Sequence, residues 1–575
     1  MHLRSLRLLL PALLALSACA QPAAPVPRSA SSDAPRAAPA PEASPAPLFD
    51  GLGDFHRDIA TTSREAQRYF DQGLLLTYAF NNTEAVRSFS QACALDPDCA
   101  MAFWGKALAS GPNINRPSLD EATTKVAVEA IERAVALAGR ASPLERELIA
   151  ALRLRYVWPP PASRAALDAA YADAMREVWH AHPDDPDVGA LFAEALLDVR
   201  PWDQWTPDGK PQPGALEAVE TVEAVLKKFP DHPDANHIAI HALEASPFPE
   251  RALPAADRLR TLAPGAGHLV HMSSHIDIRV GHYETAIEAN RRALAADRAY
   301  FERAGAPTGY ATYRAHAGHF LTWAAMYDGQ SAVALESARA LVRDLPADLV
   351  AKSAKPWEAF LVVPYHVLVR FGKWDEMLAE PEPPAGRPAQ SAFWHYARAM
   401  ACSSLRRVDD AERELAAFDA AVVATPPTYT LAHNPMSAVF SVARGFAAGE
   451  IEYRRGRFDA AFQQLRAAVE LDDGLRYGEP WGFMQPVRHA LGALLLEQGR
   501  IDEAEAVYRE DLKRHPENGW SLHGLVECLR RRGEKDPAAA AALAAETADV
   551  QRRFERAWAR ADVRLPGSCF CRIGN

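Results

Sequence analysis

The chain has 575 residues, more than one compact core usually holds and enough for several domains or an extended repeat array. Lys+Arg total 63 against 74 Asp+Glu, a net charge of −11, so no general attraction to nucleic acid is expected. Hydrophobic residues make up 49% and charged residues 24%, which excludes a polytopic membrane protein, and 7 Cys exclude a dense disulfide framework.

The chain opens with a short basic stretch containing Arg4 and Arg7. An apolar run, Leu8 to Leu16, follows and is too short to span a bilayer, which takes about 20 residues. Then comes Leu16-Ser17-Ala18-Cys19. This beginning resembles a bacterial lipoprotein signal with its lipobox. The resemblance implies removal of residues 1–18 and acylation of the Cys19 thiol. Ala20 rather than Asp after that cysteine implies the outer membrane, facing the periplasm, rather than the inner membrane. An ordinary secretory signal shares the same basic and apolar design, and either one makes the mature chain extracytoplasmic. Residues 19–47 are mostly Ala, Pro and Ser and read as an unfolded tether.

From residue 64 helical periodicity takes over and helix pairs recur. Tyr69…Gln72-Gly73…Ala85…Phe89…Ala92…Pro97 resembles the tetratricopeptide repeat in order and spacing. The frame returns as Leu491-Gly492…Ala504…Tyr508…Pro516, with weaker copies around Ala286, Ala334, Ala411 and Ala461. The resemblance covers most of residues 64–560 and implies an all-α helix-turn-helix solenoid. Gly111-Pro112-Asn113, Asn236 to Ser246 and His271 to Ile276 are also similar to a bacterial family of large repeat-containing hypothetical proteins. The expected divisions are repeats over 48–200, a His-rich centre over 201–330, repeats over 331–560 and a Cys-containing tail over 561–575. Irregular loops are expected at 200–211, Asp297 to Gly309 and Glu380 to Arg387.

Nine of the 19 histidines fall between residues 232 and 319. His237, His241 and Glu244 are spaced i, i+4, i+7 and share a helix face. His268, His271 and His275 follow at i, i+3, i+7, and His316 and His319 at i, i+3. The repeat resemblance implies that these positions line a concave groove, with His241 one position off the pattern. Imidazoles with a carboxylate beside them suit a transition metal: Zn, Cu, Fe or Mn. Asn290 stands where the first copy has Phe89, and Asp277 is a candidate partner behind the ligands. A metal-free groove that titrates near neutral pH is the competing reading.

Trp202 and Trp205, in a Pro-rich loop, and Arg279 and Asn290 are candidate ligand contacts. Glu479-Pro480-Trp481 reads as a structural corner. Cys93 and Cys99 flank a helix bend and can form a disulfide in an oxidising compartment. The sequence therefore points to an extracytoplasmic binding or scaffold protein with a metal-binding groove and a protein or peptide partner. The signal resemblance implies attachment to the membrane through lipid, and the net acidic charge leads us to expect no nucleic-acid partner. A metal-dependent hydrolase or oxidase, and a metal-free peptide adaptor, are the alternatives.

Overall fold

The computed structural model describes residues 46–305, 310–352 and 354–572. Cys19, the signal segment and the tether up to residue 45 lie outside the described residues.

Antiparallel helix pairs begin with Arg64–Tyr78 and Asn82–Leu95. Ser63 caps the first by accepting from the Ala66 N–H, and Asn81 caps the second by accepting from Glu84. The helices approach closely where the frame is small. Phe89 is fully buried, and a Cβ on Gly73 or Gly105 would stand 2.9 or 2.2 Å from its ring. Tyr508 repeats this arrangement between Gly492 and Gly524, at 2.5 and 2.2 Å. The frame alanines Ala85, Ala286, Ala334, Ala411, Ala461 and Ala504 are all fully buried. The fold is an all-α array of tetratricopeptide-type helix-turn-helix units. One short hairpin interrupts it, pairing Thr430 with Pro435 and Leu431 with Asn434.

Among the described residues, seven turns within pairs place a left-handed residue two places before the second helix. Gly281, Gly329, Gly372, Gly456 and Gly499 hold that place ahead of helices starting at Tyr283, Ser331, Trp374, Phe458 and Ile501. Phe80 and Arg406 hold it with φ of 53° and 61°. A Cβ makes this backbone cost about 1–2 kcal/mol. Such a residue at a turn built for glycine needs a reason, and for Phe80 the reason lies in the site below.

One hydrophobic cluster runs from Ala66 to Ile276, so the division expected at 200/201 falls inside a single core. Another runs from Val362 to Cys571. The loop expected from Asp297 begins later, because helix Tyr283–Ala304 continues through Asp297 to carry Tyr300 into the interior. Cys93 and Cys99 are free thiols rather than a disulfide. Each packs as a small apolar side chain at the first core, and burial raises them to about 12 and about 11. The bonded pair is Cys569 with Cys571. The tail is part of the fold, since Ser568 hydrogen-bonds Tyr508 Oη at 2.6 Å and donates to the His489 carbonyl.

The array also makes contacts over long sequence distances. Tyr283 Oη donates to the Pro516 carbonyl at 2.9 Å, and Trp520 Nε1 donates to Met326 at 3.0 Å. The loop between helices Phe458–Asp473 and Val487–Glu497 lies over the His-rich centre through Tyr477, which reaches Glu244. No helix among the described residues is long and apolar enough to cross a membrane.

Candidate metal centre

Helix Pro233–Leu243 starts with proline at its first position, and the His232 ring caps it by accepting from the Ala235 N–H. His237 and His241 follow one turn apart. His237 Nδ1 lies 2.7 Å from the Tyr78 carbonyl, which can only accept, so that nitrogen carries the proton. His241 Nδ1 is held the same way by Glu244 Oε1 at 2.7 Å. Both Nε2 atoms are left buried and without a hydrogen-bond partner. Helix Gly267–Val280 adds His268, whose two ring nitrogens are also unpartnered. One nitrogen from each of His237, His241 and His268 lies within 4.8 Å of the others.

A second triad adjoins the first. His271, His275 and His316 meet the same 4.8 Å condition. His271 Nδ1 donates to Asn290 Oδ1 at 2.6 Å, and the Asn290 amide is itself fixed by the Ala286 carbonyl. His275 Nδ1 donates to Glu244 Oε2 at 2.8 Å and lies 3.1 Å from Glu479 Oε1. The two Nε2 atoms of His271 and His275 are 2.8 Å apart. Two nitrogens bound to one ion at about 2.0–2.1 Å stand roughly 3 Å from each other, so little movement separates this contact from shared ligation.

Glu244 joins the triads, with one oxygen on His241 and the other on His275. Burial alone would raise its pKa, but His275 and His241 hold it well below the carboxylate range. Glu479 moves the other way, pushed up by burial and then by the charge on Glu244. Burial opposes charge on His275, yet Glu244 and Glu479 outweigh it and raise His275 to about 10. The other five imidazoles are lowered, first by burial. His237 and His241 combine a neutral imidazole, an anchored Nδ1 and a free Nε2, which is what a metal ion requires of histidine.

Aromatic rings enclose the centre. Phe80 lies 4.5, 5.8 and 5.5 Å, between ring centroids, from His237, His241 and His268. Its left-handed backbone holds the ring where the glycines of other turns put nothing. Trp202, also left-handed with φ 60°, lies with its ring 5.5 Å from His241 and stacks on His433 at 4.7 Å. Phe320 stacks on His275 at 4.5 Å.

Several expectations need correction. The imidazoles do not face an open groove: His237, His241, His268, His271 and His275 are at most 2% exposed. The loop carrying Tyr477 and Glu479 covers them, with Tyr477 Oη donating to Glu244 at 2.9 Å. Glu479-Pro480-Trp481 is thus part of the centre rather than a remote corner. His319 belongs to neither triad; it is buried against Phe360, and burial lowers it to about 4. Asp277 turns away to a two-pronged pair with Arg260 at 2.6 and 2.9 Å. Trp205 donates to the Ala242 carbonyl at 2.8 Å and serves as a buried strut. Asn290 orients His271, and Arg279 lies outside the triads.

No protein-family model matches this chain, and no curated protein matches it. Among solved structures it is similar to yeast Tom70, with 12% identity, a TM-score of 0.26, and coverage of 84% of this chain and 92% of that one. Human IFIT1 with m7Gppp-AAAA gives 12% identity and a TM-score of 0.32, over 88% and 91%. A Naa15/Naa10 complex bound to HypK gives 15% and 0.20, over 86% and 74%. Likeness at this level bears on neither ligand nor partner.

Proposed function

We propose that this chain is an extracytoplasmic, lipid-anchored repeat protein whose interior holds transition-metal ions, one on each His triad. The observation that carries the reading is the pairing of an anchored Nδ1 with a buried, unpartnered Nε2 on His237 and His241, in one cluster with His268. All-imidazole triads without a thiolate suit Cu or Zn better than Fe or Mn. The enclosed centre leaves no room for a peptide along the histidines, so a protein partner would bind the outer surface of the array. Catalysis by the ions is the second reading. It is favoured by Tyr477, which reaches Glu244 while lining a cavity of about 800 Å³.

Elemental analysis of the purified full-length chain tests the proposal. About two ions per chain are expected, with one lost in His237→Ala/His241→Ala and the other in His271→Ala/His275→Ala. A wild-type chain that takes up neither Cu nor Zn on reconstitution would overturn it.

A further inference from the structure

The cavity beside Tyr477 lies between the Trp202 loop and the segment around Trp481. Its volume falls within the range of small-molecule pockets, roughly 300–1,000 Å³. The charges on its wall are mostly neutralised locally. Asp208 pairs with Lys210, Asp203 with Arg200, and Asp473 with Arg488 and Arg514. Lys513 is taken by Glu510. Arg279 differs. Its guanidinium lies beside the rings of Tyr477 and Trp481, at 5.5 and 5.3 Å from their centroids, where the two rings meet edge to face at 6.1 Å. Its one hydrogen bond goes from Nη2 to the Ser246 carbonyl at 3.0 Å, and its Nε is buried without a partner. Among the described residues no carboxylate forms an ion pair with it. Glu250 and Arg476 are the other wall charges without an ion-pair partner, so the unpaired groups leave a positive excess.

A half-buried guanidinium with a buried, unpartnered Nε and no carboxylate in ion-pair contact keeps donor capacity for a ligand. Its planar fork matches a carboxylate, and the rings holding it in place offer flat apolar faces. We infer that this cavity binds a small aromatic carboxylate, with Arg279 taking the carboxylate and Trp202 and Trp481 flanking the ring. The bound molecule would lie against Tyr477, one hydrogen bond from the carboxylate that links the triads.

Benzoate is the probe, with benzamide as its uncharged isostere. Calorimetric titration of the full-length chain, stripped of metal by chelator, separates this inference from the metal reading. Failure of one leaves the other standing. Benzoate is expected to bind at least about tenfold more tightly than benzamide. Arg279→Gln should remove that preference, and Arg279→Lys should keep part of it. Equal binding of the two probes would overturn the inference. So would an unchanged preference in a folded Arg279→Gln chain, or no benzoate binding up to about 10 mM. If Arg279→Gln does not fold, the benzoate-to-benzamide ratio on the unaltered chain decides alone.

Discussion

One position of the repeat frame holds Phe89 in the first unit, Tyr508 near the C-terminus and Asn290 in the centre. The two aromatics fill the gap between paired glycines. Asn290 uses the same inward direction to fix His271. The turns show the reverse exchange: five carry glycine and one carries Arg406, whereas the first carries Phe80, whose ring covers three histidines. Where the array only stacks, the frame is filled for packing. Where it builds the centre, packing and backbone ease are given up for orientation and enclosure.

The comparison breaks if the frame aromatic is dispensable. Phe89→Ala should cost about 3–5 kcal/mol, read from urea denaturation, because its cavity lies between two helices that cannot close further. A loss under about 1 kcal/mol would mean the glycines do not define a tight seat. Glu244→Ala should weaken metal binding about 10–100-fold at both triads, since it removes the acceptors of His241 and His275 together. An effect on one ion only would show that the carboxylate does not link them. Asn290→Leu should lower metal affinity about tenfold at the second triad and leave the first unaltered. Its stability loss, about 1–3 kcal/mol from the stranded His271 Nδ1, should stay below that of Phe89→Ala.

The smallest effect at neutral pH concerns a histidine outside the centre. Burial, with His319 facing it, lowers His366 to about 3. Its ring packs on Phe393 and Phe483. The unfolded chain takes up this proton near pH 6.5 and the folded chain only near 3. The unfolded state therefore binds more protons between those values. Stability is complete above about pH 6.5 and falls as pH drops towards 3. Denaturation of His366→Phe at pH 7.5 and 5 should show a shallower loss than wild type. An unchanged loss would assign that limb to other histidines.

The helical class and the two terminal repeats were legible because small residues and aromatics recur at fixed local spacing. The histidine faces were legible for the same reason, since i, i+4 spacing on a helix is geometry. What covers those faces was not. Glu244 meets Tyr477 across 233 residues of sequence, and His237 meets the Tyr78 carbonyl across 159. No local pattern encodes either contact, and the carbonyl has no side-chain signature at all. Glu479-Pro480-Trp481 therefore read as a corner. Repeat position indicated which residues point inward, but not that a distant loop closes over them. The one available hint was Phe80, a bulky residue at a turn position that is usually glycine.

The bond from Tyr283 to the Pro516 carbonyl has a further consequence. An open repeat array melts from its ends, each unit leaning only on its neighbours. Here the middle of the chain is fastened to the last repeats there, at Trp520 to Met326 and at Arg560 to Asp328. Fraying of the C-terminal units would strip the cover from the centre, so the two regions should lose structure together. Calorimetry of the full-length chain should then show one cooperative transition rather than a staircase, and ion release should coincide with it.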